Sequence, residues 1–171
     1  IGTVGLTTGV TSSGNVLFDT TTLDIQEALS ASNQTITLTL STSGVDTNNG
    51  VITAANLLLD GAGTYTFDTA TNDIDVLAAN SGSVTFVDAD GFDIGTVGST
   101  SGLTATGDVA ITTTDLDIQE LLNTAGQTLT LTLSSTGIDS SNGSITAANL
   151  QLNGAGAYTF DASSNDVDVL A

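Results

Sequence analysis

The chain has 171 residues and a net charge of −19, with no Lys, Arg, His, Cys, Met, Pro or Trp. Without a cation it has no electrostatic footprint for nucleic acid and no basic patch for anionic lipid. Without Cys and His it has no disulfide, no zinc or haem site, and no Ser-His or Cys-His nucleophile. Apolar residues still make up 39% and mean hydropathy is +0.27, unlike a disordered acidic chain. No apolar run approaches the roughly 18 residues of a membrane span.

In chain order, the strand cores are Val16–Phe18, then Thr35–Leu40, then Leu57–Leu59, Tyr65–Phe67, Ile74–Leu77 and Val84–Val87. Each carries apolar or β-branched residues at alternate positions. The clearest is Thr35-Ile36-Thr37-Leu38-Thr39-Leu40, with aliphatics on one face and threonines on the other. Turn signals fall between them at Asn49-Gly50, Asp60-Gly61, Asn80-Ser81-Gly82 and Asp90-Gly91. Only Asp24–Leu29 and Asp117–Leu122 have helical spacing, which predicts one turn capped by the Asp.

A repeat dominates this pattern. IGTVG at 1–5 returns at 94–98, LDIQE at 23–27 at 116–120, and ITAANL at 52–57 at 145–150, each at an offset of 93. Residues 1–78 align with 94–171 without a gap, with 49 identities. The chain thus divides into a complete repeat, 1–93, and a second, 94–171, that stops before the partner of residues 79–93. This predicts a piece of a longer array, with further copies of the repeat as neighbours. Apolar exchanges such as Phe18/Ile111, Ile36/Leu129 and Ile74/Val167 mark inward positions. The exchanges Leu17/Ala110, Val51/Ser144 and Leu58/Gln151 mark solvent-facing ones. Principal strands recur about every 20 residues, the length of one coil of a parallel β-helix. The expected fold is therefore an all-β parallel β-solenoid of four or five coils per repeat, its core unbroken across Asp93–Ile94. The alternative is a string of tandem Ig-like sandwiches, since about 100 residues also make a sandwich.

The run LLLDGAGTYTFDTATNDIDVLAANSGSVTFVDADGFDIGTVG, followed by TSGLTATGDVAITTT, resembles the tandem repeats of filamentous-haemagglutinin-like proteins, giant bacterial adhesins of the two-partner secretion type. The resemblance implies a right-handed parallel β-helix, secretion to the cell surface or beyond, and a structural role in a filament or adhesin. It offers no catalytic residue to carry over; no cofactor is required, though Ca²⁺ is possible, and the charge and short apolar runs speak against nucleic-acid binding and membrane insertion.

Asp88, Asp90 and Asp93 form the best metal candidate, because oxygen ligands around an Asp-Gly bend suit Ca²⁺. The competing reading is a solvated corner, as the full D-x-[DN]-x-[DN]-G loop is missing. Asp73/Asp75 and Asp166/Asp168 place paired carboxylates on one strand face, around an aliphatic that points inward. Such pairs serve glycoside hydrolysis only in a unique cleft, whereas these recur with the repeat. The Gly61-Ala62-Gly63 and Gly154-Ala155-Gly156 triplets lack the Asp and nine-residue period of calcium-binding solenoids. The Thr35/Thr37/Thr39 and Thr128/Thr130/Thr132 rows are explained by β-propensity before ice binding. Tyr65 and Phe67, with Tyr158 and Phe160, are read as core rather than as a carbohydrate platform. Finally, the uncompensated charge predicts rods that repel in monovalent salt and are bridged to neighbouring fibres by divalent cations.

Overall fold

The computed structural model describes residues 1–124 and 126–171, and none of these is helical. Strands stack in parallel with partners 17–25 residues apart, and each turn has three sides. One stack runs Leu23, Gly44, Tyr65, Val84, Val109, Leu129, Leu150, Leu170, which makes eight levels. The protein is a parallel β-solenoid of about eight turns. Parallel pairing between successive turns excludes the sandwich alternative, whose sheets are antiparallel.

Strand alternation builds the interior. Ile36, Leu38 and Leu40 are fully buried while Thr35, Thr37 and Thr39 face outward. Tyr65 and Phe67 are buried core, as expected. Their rings need space that a neighbouring turn must leave. Gly44 supplies it, since a Cβ there would meet Leu40 Cδ1 at 2.6 Å and Phe67 Cζ at 3.0 Å. At Gly61 the backbone takes φ +90°, and a Cβ would sit 2.5 Å from the Leu40 carbonyl oxygen. Only glycine turns that corner without strain.

The core crosses the repeat junction without a break: Phe92, Ile94 and Leu103 belong to the same buried cluster as Ile36 and Leu129. Yet the two copies are not in phase. In the first copy Val16, Ile36 and Leu57 share one side. Their counterparts Val109, Leu129 and Leu150 continue the stack of Tyr65 and Val84, which is the next side. Likewise Leu103, Leu122 and Ile145 continue Leu38, Leu59 and Ala79, whereas their counterparts Val10, Leu29 and Ile52 lie one side earlier. Ninety-three residues therefore make four turns and one further side. The segment 79–93, the last part of the first repeat, supplies the strand Val84–Val87 and most of Gly91–Ile94.

Several expectations are corrected. Asp24–Leu29 contains no helical turn: Asp24 and Ile25 end the strand Val16–Ile25, and Leu29 begins the next. The same holds for Asp117–Leu122, between Val109–Ile118 and Leu121–Asn123. A chain that bends between two sides turns residues four apart, Ile25 and Leu29, into one core, which mimics helical spacing. Asn80 and Ser81 are not a turn but the end of the strand Asp73–Ser81, because Asp60–Gly61 on one side and Thr104–Ala105 on the other pair with them. Leu17 is exposed and Leu58 half-exposed, but Ser144 is buried, so the Val51/Ser144 exchange does not mark a solvent position.

Candidate functional site

At the repeat junction an open groove of about 410 Å³ is lined by Asp75, Asp90, Asp93, Asp115 and Asp117. Parallel pairing brings these acids together from distant positions, aligning Asp93 with Asp117 and Gly91 with Asp115. Gln119 bridges two of them, its Nε2 donating to Asp93 Oδ2 at 2.6 Å and to Asp117 Oδ2 at 3.2 Å. Partial burial and the neighbouring Asp117 charge push the Asp93 carboxyl up, with Gln119 opposing them. At the groove's edge, hydrogen bonds from Thr136 and Ser135 hold Asp115 below the usual carboxylate range. The arrangement concentrates negative charge along one face.

The three residues of the sequence candidate separate here. Asp90 and Asp93 line the groove, but Asp88 is buried in the corner and engaged by the backbone. Its carboxylate accepts the N–H groups of Ile74 at 3.1 Å, Asp90 at 3.2 Å and Gly91 at 2.9 Å. Burial raises its pKa to about 6, these three donors opposing the shift and the Asp90 charge adding to it. Among the described residues no group of three or more acids is disposed to hold a metal ion. Asp73, Asp75, Asp166 and Asp168 all point to solvent, around the inward Ile74 and half-buried Val167. Tyr158 and Phe160 are half-buried at the last turn, their rings 5.9 Å apart, much as Tyr65 and Phe67 lie 6.0 Å apart.

Asp46 and Asn72, which carry no role in the sequence pattern, hold one corner. Asn72 is fully buried: its Oδ1 accepts the Ile52 N–H at 2.8 Å, and its Nδ2 donates to Asp46 Oδ2 at 3.0 Å. Asp46 in turn accepts the N–H groups of Asp68 and Thr69. The second copy repeats this network with Asn165, Ile145 and Asp139. Burial pushes Asp139 up, but hydrogen bonds from Asn165, Ala162 and Asp161 outweigh it and leave the carboxyl lowered. Tyr65 plugs another corner, accepting the Leu40 N–H at 3.1 Å and facing the carbonyls of Leu38 and Asp60. Tyr158 does the same with Leu133, Leu131 and Asn153. The available signal was identity at an offset of 93: Asp46/Asp139, Tyr65/Tyr158 and Asn72/Asn165 are polar pairs that never vary between the copies.

Comparison with known proteins supplies no relative: no protein-family model, no curated protein and no solved structure matches the chain.

Proposed function

We propose that the chain is a structural segment of a long extracellular fibre or surface adhesin, a rod without chemistry of its own. The observation that carries this reading is the continuity of the stack: the second copy extends every side of the first and shares its core. A repeat that adds four turns and one side joins to the next copy without a linker, and three copies bring each side chain back to the same side. Lateral features are then offered on all three sides of the rod.

Charge supports the same reading. Nineteen acids over eight levels at about 4.8 Å each give roughly one negative charge per 2 Å, close to duplex DNA at about one per 1.7 Å. Such rods stay apart in monovalent salt. Divalent cations bridge carboxylates on neighbouring rods through oxygen ligation, and this gives a surface mat reversible cohesion.

Immunogold labelling of intact source cells, with antibodies raised against this chain, tests the location. Label along filaments outside the cell is expected; label confined to the cytoplasm rejects the proposal. Scattering from chains carrying two, three and four copies tests the rod: each added copy should lengthen the particle by about 21 Å at constant cross-section. Millimolar Ca²⁺ should gather the rods side by side, and chelation should release them.

A further inference from the structure

The three sides of the solenoid differ in charge. On the side whose inward stack begins with Leu23 and Gly44, the outward residues Val45, Thr66, Thr85, Ala110, Thr130 and Gln151 align over six consecutive turns. Beside them Val87, Thr112, Thr132 and Asn153 form a second column. None of these residues is charged. Acids stand at the margins: Asp24 in the first turn, aligned with Val45; Asp68, just past the strand Thr64–Phe67; and Asp108, whose Oδ1 accepts the Thr128 N–H at 2.9 Å. A second side carries Asp19 and Asp60, and the third carries the groove of Asp75, Asp93, Asp115 and Asp117.

The two copies differ in a way that produces this asymmetry. Residues 1–78 and 94–171 each hold eight acids, but four positions change: Asn15/Asp108, Asp19/Thr112, Thr22/Asp115 and Asp60/Asn153. The copies are one side out of phase, so Asp19 and Asp60 lie on a different side from Thr112 and Asn153. Aspartates kept at both positions in the second copy would stand in the column of Val87 and Thr132. Asp115 instead adds a carboxylate to the acidic groove. The amount of charge is unchanged, while two exchanges clear one side and a third loads another. The fourth places Asp108 at the margin, engaged by backbone.

We infer that this uncharged side is a contact face by which two copies of the rod pair laterally, each presenting the same surface. The occupant is a second copy because the chain has no cation, so two copies oppose carboxylates on either of the other sides and avoid them here. Charge elsewhere on the rods still sets a condition. Electrostatic screening reaches about 8 Å at 0.15 M salt, close to the roughly 10 Å between face-packed sheets, but only about 3 Å at 1 M. Rods therefore stay apart at moderate ionic strength and close on this side in concentrated monovalent salt. The face measures roughly 29 Å by 20 Å, some 600 Å² per rod. That is less than the about 800 Å² per partner of a stable interface, so one 171-residue chain pairs weakly. The inference adds to the fibre reading a contact that needs no divalent cation, and it stands or falls separately from that reading.

The chain has no Cys, so single introduced cysteines report a weak contact by disulfide trapping. Three variants of the 171-residue chain are compared in 1 M NaCl with chelator: Thr85→Cys in the middle of the uncharged side, Thr37→Cys on the side of Asp19 and Asp60, and Ile138→Cys in the acidic groove. Rates are normalised to each thiol's reaction with a small disulfide. We expect Thr85→Cys to form dimers at least about tenfold faster than either control. Adding Thr112→Asp and Asn153→Asp to it should slow trapping about tenfold, the equivalent of about 1.4 kcal/mol. The first copy carries Asp19 and Asp60 at the matching positions, so the fold accommodates both changes. Asp115→Thr, which restores the residue of the first copy on the acidic side, should leave trapping within about twofold. Equal trapping at the three cysteines, indifference to the two added aspartates, or trapping that requires Ca²⁺ overturns the inference. So does a chain that sediments as a monomer at millimolar concentration in 1 M NaCl, which would leave this side to a different neutral partner.

Discussion

The two copies share most of their side chains, yet burial differs at their ends in opposite directions. Val109, Ile111 and Leu116 are buried, while their counterparts Val16, Phe18 and Leu23 at the start of the chain are partly exposed. At the other end Tyr65, Phe67 and Ile74 are buried, while Tyr158, Phe160 and Val167 are not. Four of these six pairs are identical and the other two exchange one hydrophobic residue for another, so the difference comes from the turn stacked above or below. In a solenoid each turn is core only to the extent that its neighbours cover it. The same logic explains the hairpins: Val97 is buried on the strand Asp73–Ser81, while Val4 of the first hairpin has no strand beneath it and is exposed.

Truncating the stacked aromatics breaks this comparison most sharply. Phe67→Ala should cost about 3–5 kcal/mol by removing a fully buried ring. Phe160→Ala, at the open end, should cost less than half as much in the same chemical denaturation series. Equal losses would mean that covering turns do not set the energetics.

Asp88 gives the comparison a pH axis, because it lies in the segment 79–93, whose strands stack on Tyr65, Phe67 and Leu77. Its folded pKa of about 6 exceeds the ordinary 3.8, so between those values the folded chain holds a proton that the unfolded chain has lost. Stability should therefore rise as pH falls from 7 towards 4, by up to about 3 kcal/mol from this group. Asp88→Asn should remove that component and leave a shallower pH profile. Below pH 4 the sign reverses for Asp24, which hydrogen bonds from Thr47 and Gln26 hold below its ordinary value, and for Asp115 and Asp139. Their stabilisation disappears as they protonate.

The corner networks predict a smaller difference. Asn72→Ala strands the buried Ile52 N–H and should cost about 1–3 kcal/mol. Asn165→Ala, half-buried near the open end, should cost less, as thermal melts of both variants would show. Least of all, Leu58→Gln should change stability by within about 0.5 kcal/mol, because Gln151 already occupies the matching position. A large loss would overturn the outward assignment of that position.

Much of the fold is legible in the sequence through alternation. The period of two in residues 35–40 assigns Ile36, Leu38 and Leu40 to the interior, and the 93-residue identity shows that one architecture is used twice. The site is legible only in part. Asp73 and Asp75 are rightly placed in solvent by the apolar Ile74 between them. Asp88 looks like its neighbours Asp90 and Asp93, but it is buried and accepts the N–H of Ile74, a residue fourteen positions away. Periodicity misleads where the chain changes side, as at Ile25 and Leu29, because a bend between strands brings residues four apart to one core.

Strand character, inward and outward positions, net charge and the repeat are properties of local side-chain order, so the sequence by itself determined them. The phase between copies was decided only in the tertiary structure. Whether 93 residues close a whole number of turns depends on how many residues each corner uses, and the corners are set by contacts such as Asn72 to Ile52 and Tyr65 to Leu40. The grouping of Asp75, Asp93 and Asp117 in one groove follows from that phase, since parallel stacking joins residues that no local pattern relates.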